Sequence, residues 1–160
     1  MNTAVAVVEE TSELSCVIIP TIGAQLLLPN VCVAEIMPWR RVKPLPSAPA
    51  WCSGLVGWRG RTVPVIHYAG FADASAPAAA TARCLVIMNR SRNSSGPAFY
   101  AVAATGLPRM LQLVDDDLLN ADVELGSADV MQLQVGTELA TIPNLGYVED
   151  KIAELERALG

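Results

Sequence analysis

Residues 31–67 read VCVAEIMPWRRVKPLPSAPAWCSGLVGWRGRTVPVIH. The segment opens as an apolar strand, breaks into a proline-rich loop, turns at SAPAWCSG (47–54) and leaves through GWRGRTVPVIH as a second strand. Pro38, Pro44, Pro46 and Pro49 each fix φ and restrict the residue before them, so the loop is stiff. Ser47 is placed to cap a short helical turn over Ala48–Cys52, with Pro49 tolerated in its first turn. Gly54, Gly57 and Gly60 let the backbone turn sharply around an exposed Trp58-Arg59 pair. Pro64 within RTVPVIH predicts an edge strand or a bulge. Charge is uneven here as well. No Asp or Glu occurs between Glu35 and Asp73, whereas Arg40, Arg41, Lys43, Arg59 and Arg61 all fall inside that gap, in a chain of net charge −5. Such a contrast marks a surface made for a partner, and five clustered cations suit an acidic protein.

On the N-terminal side, residues 1–13 form an acidic, flexible arm. From Ser15 the pattern is β: SCVIIPT, AQLLLP and VCVAEI, the last two predicted as a hairpin about Pro29-Asn30. Alternation in these runs is imperfect, which suits strands buried on both faces of a small barrel. On the C-terminal side, ADASAPAAATA (72–82) is a surface linker. RCLVIMN and AFYAVAA then pair across the polar loop 89–97, a long hairpin opening a second lobe. LVDDDLL is predicted as a helix start, with Asp115, Asp116 and Asp117 solvated at its positive end rather than gathered on a cation. DVMQLQV and TELATIP are strands joined tightly at Gly136-Thr137. Val148, Ile152, Leu155 and Leu159 recur at helical spacing, giving an amphipathic helix over 144–159 with Asn144 as its cap. Residues 115–160 hold eleven acids against Lys151 and Arg157, so the C-terminal part is acidic where the 40–61 stretch is basic.

The 160 residues, 52% hydrophobic and 17% charged, suffice for one compact domain or two small lobes sharing a core. A pI near 4.8 argues against general nucleic-acid binding. The N-terminus carries Glu9, Glu10 and Glu13 where a signal peptide would be apolar, and no apolar run approaches the roughly 20 residues of a membrane span. A cytoplasmic protein without direct membrane insertion is expected. Cys16, Cys32, Cys52 and Cys84 form no CxxC pair and His67 is the only histidine, so no metal site is predicted and the thiols are expected to be reduced and mostly buried. Cys52 with His67 is the one conceivable thiol-enzyme pair, but no orienting Asn or Asp stands at a recognisable spacing. GLVGWRGR lacks GK[ST] and GxGxxG and offers no phosphate cradle. The residues describe a binding module, without cofactor, more than an enzyme.

Four pieces of the opening segment, Val33-Ala34-Glu35-Ile36, Pro46-Ser47-Ala48-Pro49, Gly54-Leu55-Val56-Gly57-Trp58-Arg59-Gly60 and Val63-Pro64-Val65-Ile66, follow one another at the spacing of the CheW family, and the chain resembles that family over about residues 14–150. These are adaptors that couple chemoreceptors to the CheA histidine kinase. The resemblance implies a mainly β fold, two intertwined five-stranded SH3-like β-barrels followed by the C-terminal helix, without enzymatic activity. It implies two partners: the cytoplasmic hairpin tip of a chemoreceptor and the regulatory domain of the kinase. The positions it carries over are Val33, Gly54 and Arg59, with Glu35 more loosely. Trp58 joins them as the neighbour of Arg59. Arg59 could pair with a partner's carboxylate or internally with Glu35; Val33 could be strand core, and Gly54 a purely conformational requirement. His67-Tyr68 replaces the family's Asp-Leu, and Ala103-Ala104-Thr105-Gly106-Leu107 replaces its Val-Asp-x-Val segment. These departures suggest a specialised member, such as one serving type IV pilus twitching motility.

Overall fold

A computed structural model of the chain describes residues 14–76, 81–91, 96–114, 118–120 and 124–159. The acidic arm, parts of the 72–82 linker and of the 89–97 loop, and Asp115–Asp117 lie outside the described residues. The strands are β1 (Leu14–Thr21), β2 (Ala24–Pro29), β3 (Val33–Pro38), β4 (Cys52–Trp58), β5 (Arg61–Ile66), β6 (Cys84–Asn89) and β7 (Phe99–Ala104). They continue with β8 (Arg109–Leu113), β9 (Leu118–Asn120), β10 (Asp129–Val135) and β11 (Glu138–Pro143), and helix α1 (Leu145–Leu159) closes the chain.

Two sheets result, ordered β8-β1-β2-β11-β10-β9 and β3-β6-β7-β5-β4. Their order is the same. Each has a central hairpin (β1–β2 or β6–β7), an outer strand on one side, and a second hairpin on the other, joined through a single parallel pairing. The fold is mainly β with a terminal helix, as the sequence pattern predicts, and its two intertwined barrels are those that the family resemblance implies. The sheet built from both ends of the chain carries one short strand more, β9.

Three clusters of buried side chains explain why alternation fails in the sequence. Cys16, Ile18, Leu27, Leu113, Leu133 and Ala140 fill one barrel. Met37, Val56, Trp58, Val63, Leu85 and Ile87 fill the other. A third core, shared between barrels, takes Val17, Ile19, Leu26 and Leu28 from one sheet, Val86, Met88, Tyr100 and Val102 from the other, and Val148 and Ile152 from α1. In β6, Leu85 and Ile87 point one way while Val86 and Met88 point the other, and all four are buried. A strand between two cores has no polar face to display.

Several local expectations are corrected. β2 does not form a hairpin with β3. It pairs with β1 and β11, and the 3-10 turn Asn30–Cys32 after Pro29 carries the chain into the other sheet. β6 and β7 do pair, but they open no new lobe. Apolar on both faces, they are the middle of the sheet that β3, β4 and β5 complete. Pro64 lies on an interior strand: β5 pairs with β4 along its length and with β7 only from Val65 onward, so the missing N–H falls before the parallel ladder begins. The bulge is in β4, at Cys52–Gly54. Ser47 caps no helix, because its φ of 59° is left-handed. Pro46-Ser47 is the centre of a β-turn closed by Ala48 N–H to Leu45 O (3.3 Å), and Cys52 N–H to Pro49 O (3.0 Å) closes the next turn. Leu118–Asn120 is a strand beside β10 rather than a helix.

At α1 the sequence signals hold. Asn144 Oδ1 accepts from Tyr147 N–H at 3.0 Å, an N-cap, and Val148, Ile152 and Ala153 are buried. Leu159 at the frayed end is exposed. No helix among the described residues is long and apolar enough to cross a membrane.

Candidate functional site

The outer strand β3 and the β4–β5 hairpin stand at opposite edges of their sheet, so anything linking them closes the barrel. Three residues supply a side-chain closure. Glu35 Oε1 on β3 accepts from Trp58 Nε1 at 3.0 Å and pairs with Arg59 Nη2 at 3.0 Å. The Arg59 guanidinium also lies over the Trp58 ring, 5.1 Å from its centroid. A backbone bridge reinforces the closure, with Lys43 N–H to Leu55 O and Leu55 N–H to Lys43 O both at 2.8 Å. Arg40 Nη1 donates to Gly57 O at 3.0 Å.

Arg59 occupies a left-handed backbone position (φ 49°) beside Gly60 (φ 74°), the tight turn that the glycine spacing predicts. That turn carries its side chain outward: it is 70% exposed, against 36% for Glu35. The internal pairing with Glu35 and an outward-facing cation thus coexist. Trp58 is not exposed. Only 6% accessible, it sits at the barrel mouth against Phe99, ring centroids 4.8 Å apart. Arg61 covers the same Phe99 ring at 5.0 Å.

Val33 and Gly54 stand apart from this contact. Val33 is half-buried and packs on the shared core, with a bulge between it and Glu35. Gly54 is buried, with φ 139°, and a Cβ there would lie 2.2 Å from the Lys43 carbonyl oxygen. The glycine is required by that approach. Around Arg59 the remaining cations Arg40, Arg41, Lys43 and Arg61 are all exposed. Among the tryptophans Trp39 is the exposed one, and Ile36 on β3 is exposed too. Ile36 was not singled out by the sequence, since alternation around a bulge does not say which side faces water. The corner is therefore a cationic surface with apolar side chains set in it, held by a closed barrel.

Replacing Trp58 by Phe keeps the ring packing and removes one donor to Glu35. The expected loss is about 1 kcal/mol in a denaturant melt, with unchanged slope. A loss above about 3 kcal/mol would show that the ring itself cannot be replaced.

Cys52 and His67 are both buried, and burial pushes the Cys52 thiol up. A reactive cysteine needs access and a lowered pKa, so this arrangement runs against thiol catalysis. Cys16, Cys52 and Cys84 are buried, Cys32 is partly so, and none is in a disulfide. Among the described residues, no group of three or more His, Cys, Asp or Glu is placed to hold a metal ion.

A family model described as "CheW-like domain" matches residues 16–145. Among solved structures, scaffolding protein TtCheW from Thermoanaerobacter tengcongensis superposes with a TM-score of 0.67 at 12% sequence identity, over 84% of this chain and 86% of that one. No curated protein sequence matches.

Proposed function

The chain belongs to the CheW-like family, and from that premise we propose that it is a non-catalytic adaptor of a chemosensory array. It couples the cytoplasmic hairpin tip of a chemoreceptor to the regulatory domain of a CheA-type histidine kinase, in chemotaxis or in type IV pilus twitching motility. The solved relative is itself described as a scaffolding protein. The observation that carries the reading is the Arg59 corner: a 70% exposed guanidinium on a rigid turn, among four further exposed cations. Arginine presents a planar fork that fits a carboxylate, so an acidic helical partner is the natural complement. Glu35 and Trp58 hold the guanidinium through ion pair and ring, while Val33 and Gly54 act at a distance from it, by packing β3 on the shared core and by letting the Lys43 loop approach β4.

Arg59→Ala tests the reading. The Arg59–Glu35 pair is solvent-exposed, so its removal should change stability by less than about 1 kcal/mol. Partner binding, on the order of micromolar, should weaken by about 2 kcal/mol, roughly thirtyfold. Pull-down of receptor or kinase fragments and a thermal melt measure the two effects separately. Unchanged binding removes Arg59 from the contact, and loss of one partner alone identifies an array component that binds only that one.

A further inference from the structure

An open recess of about 270 Å³ lies between β5 and β7, lined by Arg61 to Pro64 on one side, Pro97 to Phe99 on the other, and Glu156 of α1. It marks where the two strands part. They pair only at Val65–Ala101 and Ile66–Val102, and ahead of those pairs Pro64 and Pro97 both lack the N–H that would extend the ladder.

Arg61 reaches across this gap. It stands on β5, and its guanidinium lies over the Phe99 ring of β7, 5.0 Å from the centroid. The ring takes one face of the guanidinium and leaves the N–H edges available. Among the described residues Arg61 makes no hydrogen bond and no ion pair, and Glu156, exposed on the rim, does not pair with it. Arg59 differs. It is held the same way over Trp58 but already gives Nη2 to Glu35. Trp58 and Phe99 pack on each other, so two guanidiniums stand on one aromatic pair, one partly neutralised and one with all its donors unmet. A cation positioned before its partner arrives has less rotamer freedom to lose on binding, which favours a subsite for an anion.

We propose that Arg61, held on Phe99 at this recess, is a second carboxylate contact beside Arg59 and takes an Asp or Glu side chain of the same acidic helical partner. The identity of the partner rests on the adaptor reading; the chemistry, a carboxylate in the fork of Arg61, does not. Phe99 is a positioning residue, and Glu156 is the internal acid that the incoming carboxylate must outcompete.

The test is a titration of the isotope-labelled full chain with an alanine-rich helical peptide carrying two glutamates four residues apart, followed by NMR at the Arg61 Nε–H and the Phe99 amide. The same peptide with two glutamines is the control. Expected are saturable shifts with the glutamate peptide only. Arg61→Gln, a change at an exposed position, should weaken binding about fivefold or more, and Arg61→Lys should restore only part of it, because an ammonium offers no fork. Phe99→Leu should weaken it about threefold while the charge of Arg61 stays in place. Equal shifts with the glutamine peptide, or unchanged affinity in Arg61→Gln, overturn the proposal. So does equal capture of receptor or kinase fragments by Arg61→Gln and the parent chain. A parent chain that binds the glutamate peptide through Arg61 but captures neither fragment overturns the adaptor reading and leaves the carboxylate subsite standing.

Discussion

Gly54→Ala should destabilise the chain by about 3–5 kcal/mol, the sum of a strained φ and two disturbed backbone hydrogen bonds. The φ of 139° lies where an L side chain is strained, and the added Cβ would meet Lys43 O at 2.2 Å and Lys43 C at 2.8 Å. Both obstructing atoms are backbone, so no rotamer change relieves the clash. Lys43 has to move, and Lys43 is the residue whose two 2.8 Å hydrogen bonds to Leu55 join the loop after β3 to β4. For a domain of this size each kcal/mol lowers Tm by about 2–4 °C, so a fall of about 10 °C is expected by circular dichroism. Partner binding should fall with it, because Arg40 and Lys43 ride on the displaced loop. A binding loss in this variant is thus no proof of contact at Gly54. A melt within about 2 °C of the parent chain would show that the loop yields freely and that the close approach is not a constraint.

The same position shows what the sequence makes legible. Three glycines around Trp58-Arg59 announce a sharp turn, and Gly60 at φ 74° fulfils it. They do not announce that Gly54 is needed because a loop eleven residues upstream passes over it; a long-range approach leaves no local pattern. Glu35 and Arg59 are identifiable singly by motif and by charge, and their meeting follows only from barrel closure. A glycine-flanked Trp58 reads as an exposed turn tip, whereas its strand alternates Val56 and Trp58 into the barrel. The duplication of sheet order is also invisible in sequence. It is kept by pairing: Thr141 beside Leu26 in one sheet corresponds to Ile66 beside Val102 in the other, with no residue type in common.

Electrostatics repeats along with the topology, in reversed sense. In one barrel the outer strand β3 carries the acid, Glu35, and the hairpin turn the base, Arg59. In the other the outer strand β8 carries the base, Arg109, and the residue after the β10–β11 turn carries the acid, Glu138. Arg109 Nη2 reaches Glu138 Oε1 at 2.7 Å and Oε2 at 2.9 Å. Each barrel is laced at its mouth by one ion pair. Both pairs are solvent-exposed and worth little for stability, so their value lies in setting which charge each end of the molecule presents.

Glu149→Ala should be the second severe variant, for a reason opposite to steric crowding. Glu149 is 0% exposed on α1, yet its carboxylate accepts from Ser91 N–H (2.9 Å), Ser91 Oγ–H (2.8 Å) and Tyr100 O–H (2.9 Å). Ser91 follows β6 and Tyr100 lies on β7, so one side chain fastens the terminal helix to the central hairpin of the barrel that α1 follows least directly in the chain. Truncation leaves three donors without their acceptor, Tyr100 O–H buried and the two of Ser91 partly buried, at about 1–3 kcal/mol each before relaxation and water entry. A net loss of about 3–5 kcal/mol is expected, against about 1 kcal/mol for Tyr100→Phe, which removes a single donor and leaves the carboxylate its other two. Glu149→Gln should fall between them, since its carboxamide keeps one acceptor oxygen but turns an NH2 toward a donor. A second readout separates charge from shape. The Cys32 thiol is held above its ordinary value by burial first and by the Glu149 charge second, so in Glu149→Gln it should titrate lower than in the parent chain while the fold persists. A Glu149→Ala chain that melts within about 1 kcal/mol of the parent, with Ser91 amide exchange unaccelerated, would mean that α1 is held by Val148 and Ile152 alone.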